Sequence, residues 1–238
     1  NTLMGASAGD ALTDADYNTA VGVGALGSDT LGSRSTALGY SALFAQNFTT
    51  ATDSYNIAVG YNAGGSVTTG VANTLIGGLA GDALTDADSN VAVGQNALSA
   101  DTLGSLTTAI GQGALANQNF TTATNTHNTA VGYDAGSAVS TGIYNTLIGS
   151  QSGDALTDGN NNVAVGPNSL GSETRADRNV AVGSYALAAQ NLTTDTDSYN
   201  TAVGALAGTA ITTGTENTLM GGIAGDALTD ADGNTAVG

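Results

Sequence analysis

The sequence predicts an all-β chain: a parallel β-roll, or β-solenoid, of 14 short coils. Three observations predict it. The motif N-[TVI]-[AL]-[VILM]-G opens 14 units in register across 238 residues, with Ser35 and Thr107 replacing Asn in two of them. A fixed short period of this kind is the signature of a solenoid, in which each repeat touches only its neighbours. The apolar run in each unit is β-branched and about four residues long, with Gly after it, which suits a strand and a corner and is too short for a helical hairpin.

The units are grouped. "NTLMG" at 1, "NTLIG" at 73, "NTLIG" at 145 and "NTLMG" at 217 are evenly spaced along the chain. Within each block so defined the units begin at steps of 17, 17, 21 and 17. The chain thus reads as one continuous solenoid segment over 1–238, with four-coil super-repeats 1–72, 73–144, 145–216 and a partial one at 217–238. Neither end carries a capping unit, so the array is expected to continue on both sides.

Each unit should form a short strand, a Gly corner, a second short strand and a return loop. Coils stacked at the β spacing rise ~4.8 Å each, so 14 give a rod of about 65 Å. Gly22, Gly39, Gly60 and their equivalents suit a corner that needs positive φ or close backbone approach. Asn at the unit start can form a side-chain ladder between coils, and Ser35 and Thr107 keep a hydrogen-bonding oxygen there.

Composition removes several functions. Three cations (Arg34, Arg175, Arg178) face 20 acids, for a net charge of −17. Nucleic acid and anionic membranes need Lys and Arg as partners, so neither is expected. No apolar run approaches the ~20 residues of a membrane span. With no Cys there is no disulfide framework.

Along the strand, positions two and four face one way and position three the other. Position four is a large aliphatic and position three is Ala or Leu, so both faces read as buried. One narrow coil has only one interior. The other face then calls for a neighbouring subunit.

"NTAVGVGAL" (18–26), "NIAVGYNAG" (56–64), "NVAVGQNAL" (90–98) and "NTAVGYDAG" (128–136) resemble the head repeats of trimeric autotransporter adhesins, and more closely the related repeats of phage tail fibres. The resemblance covers all 14 units. It implies a homotrimeric, left-handed parallel β-roll, a location outside the cell (virion tail fibre or bacterial cell surface), and a role in attachment. The spacing here is more elaborate than in the tightest adhesin heads, and no stalk or anchor lies within these residues. The expected function is a structural shaft or head segment of an extracellular fibre, with a phage tail fibre ahead of a bacterial surface adhesin. Its partner would be a cell-surface receptor or glycan, met through this or a flanking region. A polysaccharide depolymerase and an ice-binding module rank below these.

No enzyme is expected. The only histidine, His127, is replaced by Tyr55 and Tyr199 one period away, which suits a flat surface side chain better than a catalytic base. Carboxylates are many but repeat like a scaffold. Ice binding needs an unbroken Thr array, and Ile57, Val91, Val163 and Val180 interrupt it. The long third unit of each block carries an extra loop with Phe48, Phe120 or Leu192 in register, read as a plug against the coil in preference to an exposed receptor ridge. Tyr40, Tyr61, Tyr133 and Tyr185 read as surface residues.

The acidic loop "GDALTDADYN" is the candidate metal site. Its oxygen donors are Asp10, Asp14, Asp16 and Asn18; then Asp82, Asp86, Asp88 and Asn90; Asp154, Asp158, Asn160 and Asn162; and Asp226, Asp230, Asp232 and Asn234. The oxygens persist while the residue before the Asn drifts through Tyr17, Ser89, Asn161 and Gly233. D-x-[DN]-x-N opens an EF-hand loop, but the later Gly and Glu are missing, so an EF-hand is excluded. A looser Ca²⁺ site remains open beside the simpler alternative, a turn in which Asp and Asn bond backbone amides. No cofactor is required.

Overall fold

The computed structural model describes all 238 residues and contains strands and turns with no helix. The chain is a parallel β-solenoid of fourteen turns. It divides into two compact units, 1–126 and 127–238, a boundary that falls inside the second super-repeat.

In 1–126, seven three-residue strands start at Thr2, Thr19, Thr36, Ile57, Thr74, Val91 and Thr108. They pair in parallel with their motif positions aligned, as Thr2, Leu3 and Met4 on Thr19, Ala20 and Val21. The order in the sheet is the order in the chain. In 127–238 the strands starting at Thr129, Thr146, Val163, Val180, Thr201, Thr218 and Thr235 do the same.

The second strand is not where the spacing predicted. Turn residues follow the Gly corner, because two left-handed residues come soon after it. In the third coil these are Ser41 (φ 53°) and Leu43 (φ 49°), and in the fourth Asn62 (φ 52°) and Gly64 (φ 58°). Extended pairing cannot survive them. A two-residue second strand forms only beside each long coil, as in Gly32–Ser33 on Thr52–Asp53, Gly104–Ser105 on Thr124–Asn125 and Ala176–Asp177 on Thr196–Asp197.

The corner glycines are required twice over. Gly22 has φ 133°, and a Cβ there would strike the carbonyl of Gly39 in the next coil. Backbones stack on backbones down this column, which leaves no room for any side chain.

The unit-start Asn closes its own coil and holds the next. Asn73 Nδ2 donates across its coil to the Ala87 carbonyl at 2.8 Å, while its Oδ1 accepts the Asn90 backbone N–H at 2.9 Å. Asn90 repeats both bonds with Gly104 (2.9 Å) and Thr107 (2.9 Å). The predicted ladder is therefore mainly side chain to backbone. Each such bond contributes about 1 kcal/mol, and an orphaned amide in this dry interior costs more.

The interior is narrow. Position three points inward and is fully buried, as Ala20, Ala37, Ala58, Leu75 and Ala92 show. Leu75 fits because Gly64 and Gly81 lie against its two methyl groups. Where Gly64 and Gly81 are replaced by Leu26, Leu43, Leu98 or Leu115, the inward strand residue shrinks to Ala. The outer face is the one for which the sequence called for a cover from outside the chain. Position four is only partly covered, with Ile76 at 38%, Ile148 at 39% and Met220 at 48% exposure.

Candidate functional site

The acidic loops lie on the return side of the first coil of each block. The acids among their ligand-like residues form no cluster of three. No three acidic or imidazole side chains meet anywhere in the chain in a group that could hold a metal. Asn18, Asn90 and Asn162 are buried, and their oxygens accept backbone amides of Ser35, Thr107 and Asn179. Asn234, in the last coil, donates to Asn217.

The acid two places before the Asn serves the preceding coil. Asp88 accepts the Val71 N–H at 2.8 Å, Asn160 that of Ile143 at 2.9 Å, and Asp232 that of Thr215 at 2.7 Å. Asp and Asn are interchangeable in this task because one acceptor oxygen is enough. The backbone N–H of Asp16 donates to Ser33 Oγ at 2.9 Å. These bonds run between coils; the anticipated local turn is only part of the account.

The other acids have separate surroundings. Asp86 accepts the hydroxyls of Thr68 (2.6 Å) and Thr69 (2.8 Å), which hold its carboxyl below the usual carboxylate range. Asp158 pairs with Arg175 at 3.2 Å, and Asp230 accepts the Thr229 hydroxyl. Asp82 and Asp154 are half-buried, and desolvation pushes both carboxyls up. Asp10, Asp14 and Asp226 stand exposed. Asp154 also lines a shallow depression of about 230 Å³ with Asn168, Ser172 and Tyr185.

The structure reveals a polar station that the sequence reading missed. It sits at the twelfth position of the second and third coils of each block. Asp29 is fully buried and accepts the backbone N–H of Gly32 (3.0 Å) and Phe48 (3.2 Å) on Oδ1, and the Gln46 amide (2.5 Å) on Oδ2. Gln46 in turn accepts from Asn56 at 2.9 Å. Asp101 with Gln118, and Glu173 with Gln190, repeat the arrangement. No buried side-chain nitrogen or oxygen is left unpaired. A legible signal existed: the same position is Leu12, Val67, Leu84, Val139, Leu156, Ile211 or Leu228 in the other coils.

The station anchors the long loop. Phe48, Phe120 and Leu192 are 5%, 7% and 9% exposed, so the plug is what forms. His127 is exposed and stacks on Tyr144 with ring centroids 5.1 Å apart. The equivalent row in the first block holds Arg34 between the rings of Tyr17 (5.0 Å) and Tyr55 (5.8 Å), with Asp53 at 2.9 Å. Tyr40, Tyr61, Tyr133 and Tyr185 are on the surface, as expected.

A scan against protein-family models, a search of curated proteins and a search of solved structures each return no match to this chain.

Proposed function

We propose that the chain is a structural segment of a homotrimeric extracellular fibre, a stiff spacer that carries an attachment site and performs no catalytic step. One observation carries this: the inverted placement of residue sizes in the strand. Small Ala fills most of the interior while Ile, Val, Leu and Met stand outside in a column within each compact unit, one per coil. Within 1–126 that column is Met4, Val21, Leu38, Val59, Ile76, Val93 and Ile110. A continuous apolar strip on a chain this acidic favours burial against another copy. The resemblance to fibre and adhesin repeats supports three copies and an attachment role, with a phage tail fibre preferred.

Light scattering tests it. The expected mass is three times the 23.0 kDa of one chain. Ile76→Asp with Val93→Asp should drop it to a single chain. A parent protein of 23.0 kDa would overturn the proposal. A trimer would carry −51, three times −17, so its assembly should strengthen with salt.

A further inference from the structure

The long loops contain a triplet that packing explains only in part. Asn47-Phe48-Thr49, Asn119-Phe120-Thr121 and Asn191-Leu192-Thr193 each read Asn-x-Thr, the acceptor pattern for N-linked glycosylation. The chain has 22 asparagines, and only these three begin such a triplet. They occupy the same place in the third coil of each full block.

Two of the three residues have structural tasks. The middle residue is the buried plug. The Asn oxygen shares a hydroxyl of the preceding coil with the plug residue's backbone carbonyl: Thr30 lies 3.0 Å from Asn47, Thr102 3.2 Å from Asn119 and Thr174 3.0 Å from Asn191. The third residue has no such task. Thr49, Thr121 and Thr193 are exposed and their hydroxyls bond nothing in the chain, yet all three copies keep Thr. The three asparagines are exposed too, and their Nδ2 atoms donate no hydrogen bond within the chain.

We propose that Asn47, Asn119 and Asn191 are glycan acceptors, one station per long coil; this rests on the extracellular location proposed above. The co-substrate is a sugar activated through a nucleotide or lipid phosphate. Asn Nδ2 forms a bond to the anomeric C1 as the C1–O bond to phosphate breaks. The phosphate leaves with the electron pair, and the amide proton passes to a base of the transferase. The Asn oxygen stays an acceptor afterwards, so its bond from Thr30, Thr102 or Thr174 survives. A loop pinned by its plug then holds the sugar clear of the sheet, and a neutral sugar adds hydration without adding to the −17.

The test secretes the full chain from a eukaryotic cell behind a cleavable leader, together with a reporter that carries one working acceptor triplet. Intact mass is read before and after removal of N-glycans. Glycan at these asparagines is expected, with one increment lost in each of Asn47→Gln, Asn119→Gln and Asn191→Gln. Thr49→Ala should abolish the increment at Asn47 although Asn47 remains, whereas Thr50→Ala should leave it. The glycosylated chain should melt within about 3 °C of the bare one, a shift no larger than a minor change in stability produces at this length. A glycosylated reporter beside a chain bare at all three asparagines overturns the proposal, and so does loss of cooperative melting on glycosylation. Light scattering on bacterially made, unglycosylated chain tests the trimer separately, so either idea can fail alone.

Discussion

Replacing Gly104 with Ala should cost the chain about 2 kcal/mol, and replacing Asp101 with Glu in the same molecule should recover up to about half of it. The added Cβ would overlap a carboxylate oxygen of Asp101. That carboxylate cannot step aside, because it holds Gly104 N–H (3.1 Å), Phe120 N–H (3.0 Å) and the Gln118 amide (2.6 Å). Overpacking at such a site costs typically ~1–3 kcal/mol. The third block shows the alternative solution. There Glu173 takes the place of Asp101, Ala176 that of Gly104, and Asn179 that of Thr107. The longer carboxylate reaches the amides of Thr174 (2.8 Å), Arg175 (2.9 Å) and Ala176 (2.9 Å) with a Cβ present. Asp101→Glu alone should cost about 1 kcal/mol, since it overfills a site shaped for Asp. The pair together should cost less than the sum by roughly 1–2 kcal/mol, a coupling normal for residues in contact. Adding Thr107→Asn should bring the chain within about 1 kcal/mol of the parent. Urea unfolding followed by circular dichroism gives all the terms. In a chain of this length about 2 kcal/mol moves the melting temperature by about 4–8 °C. Strictly additive costs would refute the idea that these three positions form one unit.

Other outcomes follow from the same contacts. Gly81→Ala should destabilise by about 2 kcal/mol or more, because Gly81 is left-handed (φ 55°) and its Cβ would meet Leu75; Leu75→Ala should relieve only the contact part, as urea midpoints would show. Acidification from neutral pH should raise the melting temperature. Asp82, Asp154 and Asp177 are pushed up by burial, so the folded chain binds protons before the unfolded one does, and stability grows as pH falls towards the carboxylate range of ~4; Asp86, held low, opposes this only below that range. A melting temperature that falls steadily between roughly pH 7 and 5 would contradict this. EDTA and millimolar Ca²⁺ should leave the melting temperature within about 3 °C, because the Asn oxygens are already bonded to amides and the acids stand apart; a larger shift would restore the calcium alternative.

Much of the architecture was legible because repetition multiplies a weak signal. A single "NTAVG" says little, but fourteen in register fix the strand, the corner and the stacking. The second strand was misplaced because its position depends on backbone conformation at Ser41, Leu43 and Asn62, residue types that carry no strong left-handed signal apart from Asn. Alternation told which residues share the outer side, and the width of one coil told that the chain itself would leave that side partly bare. The acidic loop caught attention through its charge, although its oxygens mostly hold neighbouring coils together. Asp29, Asp101 and Glu173 escaped notice because a lone acid in a polar loop looks solvated; only comparison with Leu12 and Val67 at the same position marks it as interior.

The buried acid and its glutamine have a consequence for how such a chain can change length. An acid coil must be followed by a Gln coil, and that pair must be flanked by coils carrying Leu, Val or Ile in the same slot. Deleting the Gln coil alone would set a charged carboxylate against an aliphatic side chain with its partner gone, a change costing several kcal/mol. Deleting or adding a whole block disturbs no such pairing. Changes in length should therefore be tolerated where the acid coil and its Gln coil are kept or lost together, and costly where one goes without the other.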